Sequence, residues 1–552
     1  MPKIEISYND LCKLVGRKIP IDKLHDDMLF AKGEIDDVDG DTLKIDSKDT
    51  NRPDLWSTEG IAREIRNRYK AKFSEYKINK SGLSVIVDRG VSRVRPLTAC
   101  AVVKGLNITD DVLSQLIQLQ EKVSETFGRN RKEVAIGVYD YHKIKWPIRY
   151  TTVKPDGIKF IPLGFNKEMT PKEILEEHPK GKEYAHLLKD KKNYPIFIDA
   201  AGKVLSLPPV INSEYTGKVD KNVKDVFIEC SGFDFKFLVP ALNVIVTALA
   251  ERGGRIESVA VRYGNKKIIT PDLKPNKFSV GIDYINRVSG LNLKPKDICK
   301  LLEKAGYKVK KKGKMLALLY PAYRQDIMHE RDVVEDIIIF YGYNKIEPVI
   351  PKMPTIGKIN EMEAFSNSVA KVLAGLGLQE IMSYTLTNKN NLFEKMCIKE
   401  ECVAEIENPV SANWCIFRNW LLPDVLSFFA QNKHVEYPQN IFEIDDAVII
   451  DEKQETKARN NRRLAVALTN NIVSYEMIAS YLDALMTNLG IDYEIGKHSH
   501  YSFINGRCGE VFVKNQSIGI IGEINPHVLN KWKLEKHVVA FELDISKIFE
   551  II

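Results

Sequence analysis

Apolar residues recur at helical spacing in three stretches of this chain. Between Asp110 and Thr126 they fall at Val112, Leu113, Leu116, Ile117, Leu119 and Val123, one face of an amphipathic helix. Val239 to Glu251 predicts a second helix, stopped by Gly253-Gly254 and leading into the strand-like IESVAVRY. Ala364 to Leu376 predicts a third. Short apolar runs surround them: TACAVVKGL, EVAIGVYDY, YPIFIDA and VFIEC in the first half, and IMSYTLT, NIFEIDDAVII, RRLAVALT, GEVFVKN, QSIGIIGEI and VVAFELDI in the second. Several of the later runs alternate polar and apolar, as antiparallel strands with one wet face do. The pattern predicts an α/β region in the middle and a mainly antiparallel sheet carrying helices toward the C-terminal end.

Two polar, proline-bearing segments punctuate this pattern, 269–277 and 347–354, the second with prolines at 348, 351 and 354. Such density suits neither a helix interior nor a central strand. With a softer break near 77–90, four blocks are expected: 1–80, 85–268, 275–346 and 355–552. The first and third read as copies. Arg52, Asp54, Glu64, Ile65 and Tyr69 recur 272 positions later as Arg324, Asp326, Asp336, Ile337 and Tyr341. Each copy opens with a short strand, IEIS or FSVGI, then two short amphipathic helices, a strand and a helix with acidic residues near its start. Two copies make a duplicated module, not a solenoid.

Composition narrows the class. The chain is 44% hydrophobic and 28% charged, which excludes wholesale disorder. Its net charge of +7 over 552 residues permits a nucleic-acid partner without arguing for one. Eight cysteines with no Cys-x-x-Cys pair exclude zinc ribbons and suit reduced thiols. MPKIEISYND holds no apolar signal region, and the most apolar stretch, Val239 to Ala250, is interrupted by Pro240, Asn243 and Thr247. A cytoplasmic protein with no membrane segment is expected.

Two clusters could carry chemistry. Asp332, Glu335 and Asp336 share a helix face at i, i+3 and i+4, and Asp326 lies six residues earlier. Four carboxylates without a soft ligand suit magnesium; the same acids also suit a helix's first turn, where the macrodipole favours them. The first copy has Gly60 and Arg63 at two of these places and should bind no metal. The second cluster is LSLPPVINSEYT (205–216) with Phe227-Ile-Glu229-Cys-Ser231. Its paired prolines and small polar side chains suit either the wall of a small polar pocket or an ordinary strand–turn–strand edge. The basic runs 128–132, 189–192 and 308–314 suit phosphate contacts or solvated turns. Phosphate-loop, nucleophile-elbow, His-Glu-x-x-His and dinucleotide motifs are absent.

NRPDLWSTEGIAREI, YRQDIMHERDVVEDIIIFYGYNKI and SFINGRCGEVFVKNQSIGIIGEINPHVLNKW…VVAFELDI resemble the beta subunits of phenylalanyl-tRNA synthetases. GRNRKEVAIGVYD and LSLPPVINSEYT resemble the archaeal and eukaryotic-type branch. The resemblance runs nearly end to end. It implies one half of an α2β2 ligase that charges tRNA-Phe with phenylalanine, with ATP bound and the synthetic reaction run by the alpha subunit. The implied fold is multidomain α/β and α+β: a duplicated helix–strand module, an α/β editing-type domain, and a C-terminal domain like a silent class II synthetase module that contacts alpha. The silence agrees with Phe417-Arg418-Asn419-Trp420, which lacks the Glu that follows Phe-Arg in an adenylate-gripping site. The OB-fold and anticodon-binding domains of longer bacterial-type chains are expected to be missing.

The resemblance further implies Mg2+ held by Asp326, Asp332, Glu335 and Asp336 near the alpha contact. It also implies an editing pocket, formed here by Ser206, Asn212, Glu229 and Ser231, that hydrolyses Tyr-tRNA-Phe. Related archaeal chains read Asp-x-Thr where this one reads Glu229-Cys-Ser231. A ligase for phenylalanine needs such correction because an apolar site rejects an added hydroxyl by only about 10². Two other readings stand beside this one: an editing hydrolase acting in trans, and a noncatalytic RNA-binding scaffold descended from a synthetase.

Overall fold

The duplicated modules fold alike. In the computed structural model, which describes residues 2–552, the first has strands Lys3–Ser7, Gly33–Asp39 and Thr42–Ser47 and helices Tyr8–Val15, Ile21–Phe30 and Thr58–Tyr69. The second has strands Asn276–Gly281, Lys308–Lys312 and Met315–Tyr320 and helices Ile282–Ser289, Pro295–Lys304 and Glu330–Tyr341. In both, the last strand lies in the middle of an antiparallel sheet, between the other two. The sequence pattern predicts one strand after the helix pair; the structure has a hairpin. The added strands, GEIDDVD and KVKKK, are polar and mostly exposed because they form sheet edges. Charged residues on an edge discourage pairing with another chain.

Between the modules lies a ten-stranded sheet. Its path runs Ile211–Asn212, Val204–Leu207, Tyr194–Ile198, Ile148–Val153, Ile78–Val87, Arg255–Tyr263, Leu97–Lys104, Val226–Gly232 and Val134–Asp140, with Lys266–Thr270 paired to Arg255–Tyr263. Strand Ile78–Val87 crosses the stretch expected as a soft break and pairs in parallel with both of its neighbours. Its first half, INKSG, is polar and partly exposed, so only its end reads as a strand. The sheet curls until its two edges meet: Asn212 Nδ2 lies 3.4 Å from the Val138 carbonyl. Helix Phe235–Glu251 packs on Leu97–Lys104 and Val226–Gly232. It begins four residues before the predicted start, capped by Asp234, and carries Pro240 in its interior.

The chain divides into two units, Met1–Ile350 and Pro351–Ile552. The second holds a seven-stranded sheet in the order Gln379–Glu380, Gln439–Ile450, Ala458–Asn470, His537–Asp544, Gln516–Ile524, Phe503–Val513 and Glu494–Lys497. All its pairings are antiparallel except the first. Helices Glu361–Gly375, Tyr475–Leu489 and Ile545–Ile551 bury one face. Leu422–Gln431 and Pro526–Lys531 bury the other, so the sheet has a core on each face. Among the described residues, no helix is long and apolar enough to cross a membrane.

Candidate functional site

The curled sheet closes around a cavity of about 400 Å³. Ser206, Asn212 and Glu229 all line it, as do Arg131, His178 and Lys180. Leu116, Ile136 and Val138 supply apolar wall. A cavity of this size, apolar with a few convergent polar groups, suits a small ligand or the end of a larger one.

Glu229 sits in strand Val226–Gly232, every residue of which is buried, and faces Gly137 across the ladder. Burial pushes its carboxyl up to about 8. Oε1 lies 3.1 Å from the Tyr139 hydroxyl, which is also 2.7 Å from Ser206 Oγ. Oε2 has no hydrogen-bonding partner although Glu229 is only 2% exposed. Ser231, two residues on, is buried and does not line the cavity; its Oγ accepts from Arg95 Nε at 3.1 Å. Arg95 also donates to the carbonyls of Arg131 and Lys132, tying this strand to the loop beside the cavity.

That loop is strained. Arg129, Asn130 and Arg131 have φ of 50°, 52° and 63°, three consecutive non-glycine residues in the left-handed region. The turn directs the Arg131 guanidinium onto the carbonyls of Pro209 and Val210, at 3.2 and 2.9 Å. His178 caps helix Pro179–Tyr184, accepting the Lys180 N–H at its Nδ1. Nothing local in the sequence marks Tyr139, Arg95 or His178 as site residues. Only the pairing of EVAIGVYDY with VFIEC, a long-range fact, puts Tyr139 beside Glu229.

The four carboxylates of the second module are engaged separately. Asp326 and Asp336 both pair with Arg324 Nη2, and Asp336 also accepts from the Tyr307 hydroxyl at 2.7 Å. Asp332 accepts the Met328 and His329 N–H groups as the partner in a capping box. Glu335 accepts from the Tyr343 hydroxyl at 2.8 Å. Among the described residues, no group of three or more His, Cys, Asp or Glu is placed to hold a metal ion. Arg324 lies between Asp326 and Asp336, while Asp332 and Glu335 are held by separate partners. In the first module a Cβ at Gly60 would lie 1.7 Å from the Asp54 carbonyl, so no carboxylate fits at that place.

In the second unit, Arg418 is 0% exposed. Its guanidinium lies 2.9 Å from Glu443, 3.4 Å from Asp424 and 2.7 Å from Asp445. Burial pushes the Asp424 carboxyl up to about 7.

Residues 346–545 match the sequence model of the phenylalanyl tRNA synthetase beta chain CLM domain, and 278–343 match that of the tRNA synthetase B5 domain. The phenylalanine–tRNA ligase beta subunit of Pyrococcus abyssi is 49% identical over 100% of both chains. The chain belongs to the phenylalanine–tRNA ligase beta-subunit family. The family's Methanocaldococcus jannaschii member is 39% identical over 99% of this chain and 100% of its own. A crystallised N-terminal fragment of the phenylalanyl-tRNA synthetase beta subunit from Pyrococcus horikoshii is 50% identical, with a TM-score of 0.61, and covers 62% of this chain and 100% of its own.

Proposed function

We propose that this chain acts with an alpha subunit in an α2β2 phenylalanine–tRNA ligase, and that its cavity hydrolyses Tyr-tRNA-Phe. The observation that carries the first part is identity of 49% over the whole of both chains with a protein named as the ligase's beta subunit. The alpha subunit binds phenylalanine and ATP and runs the charging reaction. The second unit is a silent class II-like module that contacts alpha. Its buried Arg418 supports this reading, because three carboxylates already neutralise the guanidinium and leave it no free charge for an adenylate.

The hydrolytic part rests on the convergence of Ser206, Asn212 and Glu229 on one cavity. The apolar wall takes the aromatic ring of a tyrosyl group. The polar side holds its hydroxyl and orients a water toward the ester. Arg131 and Lys180, at the same cavity, suit the phosphates of the tRNA 3′ end.

Co-expression with a candidate alpha chain tests the assignment. The expected result is one-to-one co-purification, with tRNA-Phe charged by the complex and no phenylalanine-dependent ATP–pyrophosphate exchange by the isolated beta chain. Failure to associate, or robust exchange by beta alone, contradicts it.

A further inference from the structure

Tyr139 lies behind the cavity wall, fully buried, with its ring stacked on Phe227 at a centroid distance of 5.7 Å. It is two residues along its strand from Gly137, so both positions face the same side. Gly137 in turn faces Glu229. The phenol extends back over Gly137: a Cβ there would lie 2.1 Å from the Tyr139 hydroxyl and 2.8 Å from Glu229 Oε1. Glycine is what lets the hydroxyl reach the carboxylate. Ser206 arrives from the other end of the curled sheet, 67 residues away in sequence. One hydroxyl thus touches both partners, at 2.7 and 3.1 Å, across the seam where the sheet closes.

This leaves the two oxygens of Glu229 unequal. Oε1 is held; Oε2 is buried and unpartnered, on a residue that lines the cavity. A buried polar atom without a partner is costly, and native folds tolerate it chiefly where something else will supply the bond. We propose that Tyr139 is a positioning residue of this cavity: its hydroxyl holds Ser206 and Oε1 of Glu229 in place, so that Oε2 is the atom left to meet the hydroxyl of a bound substrate.

The inference rests on the hydrolytic reading above and specifies how that site tells a tyrosyl from a phenylalanyl group. With the carboxyl raised to about 8 by burial, Oε2 can carry a proton near neutral pH and donate to a phenolic oxygen. When ionised it accepts from the phenol instead. A phenylalanyl group offers neither bond, and a site built around a hydroxyl discriminates strongly against a ligand that lacks it. Burial raises the Tyr139 phenol well above its ordinary range, so it stays a hydroxyl throughout.

The test uses the alpha–beta complex carrying Tyr139→Phe, which keeps the ring and its stacking and removes one oxygen. Hydrolysis of Tyr-tRNA-Phe and of Phe-tRNA-Phe is followed across pH. The ratio of the two kcat/KM values should fall about three- to tenfold, the scale of one polar contact. The inflection of the pH profile should move upward, because the carboxyl loses a donor that favours its ionised form. Ser206→Ala cuts the same chain of contacts from the other side and should shift the ratio in the same direction, even if Tyr139→Phe impairs folding. An unchanged ratio and pH profile overturn the positioning role. So does a lower melting temperature with both rates falling equally. If the wild-type complex hydrolyses Tyr-tRNA-Phe no faster than the free ester decays, the hydrolytic reading fails and takes this inference with it. If the wild type is active and both variants match it, only the role of Tyr139 fails.

Discussion

Arg52 of the first module approaches Asp326 of the second, with 3.8 Å between Nε and Oδ1. The two residues belong to the same repeated motif, so the duplicated copies meet at the residues they share. Arg52 pairs with its own Asp54 at 2.9 Å and Glu64 at 3.2 Å, as Arg324 pairs with Asp326 and Asp336. All six side chains are buried. Burial opposes ionisation of Asp326, but the Arg324 and Arg52 guanidiniums overcome it and hold the carboxyl below the usual carboxylate range.

Removing one partner from such a cluster leaves buried charge uncompensated, which costs about 3–5 kcal/mol. Arg52→Met should destabilise the chain by that order in urea unfolding. Arg52→Met combined with Asp326→Asn should cost less than the two changes summed, because each relieves part of the other's imbalance. Additive effects would show that the modules are not coupled through this contact.

Glu229 makes stability depend on pH. Its folded carboxyl, near 8, lies above the unfolded value of about 4.3. The folded state therefore holds a proton that the unfolded state releases. That contribution is fully present below about pH 4.3 and is lost as pH rises through about 8. The charged group facing Glu229 is Arg95, with the Tyr139 hydroxyl beside it and the Cys100 and Cys230 thiols on this and the adjoining strand. Between pH 5 and 9 the melting temperature of the wild type should fall more steeply than that of Glu229→Gln. Parallel curves would contradict a shifted carboxyl.

Arg418 is the charge centre of the second unit. Arg418→Met strands Asp424, Glu443 and Asp445 and should lower stability by about 3–5 kcal/mol in chemical denaturation. Arg418→Lys should rescue only part of the loss, because an ammonium cannot reproduce the forked contacts of a guanidinium. Full rescue by lysine would mean that charge alone matters there.

The run KVKKK forms an edge strand, which gives its lysines a role apart from phosphate binding. Replacing Lys310 and Lys312 with threonine should raise light scattering during refolding while leaving the melting temperature within about 1 kcal/mol equivalent of the wild type. No rise in scattering would remove the edge-protection role.

What the sequence made legible was local or repeated. The 272-residue offset predicted two like modules, and their strand orders agree. LSLPPVIN and the strand with Glu229 stand apart in sequence, and the fold brings Ser206, Asn212 and Glu229 to one cavity. What stayed hidden depended on the partners of each element. Gly33–Asp39 and Lys308–Lys312 carry no apolar alternation because an exposed edge demands none. The resemblance implies Ser231 in the pocket beside Glu229, yet its Oγ accepts from Arg95 and it does not line the cavity. The acids at 332, 335 and 336 share a helix-face pattern with Asp326 six residues earlier, but a guanidinium, two backbone amides and two tyrosines engage them separately.

Hydrolysis of Tyr-tRNA-Phe by the alpha–beta complex, compared between wild type and Glu229→Ala, bears most directly on the proposed function. On the proposed role of Glu229, its loss should slow the reaction about ten- to hundredfold. Equal rates in the two proteins would contradict the assignment of Glu229 and the reading of this cavity as the site of hydrolysis.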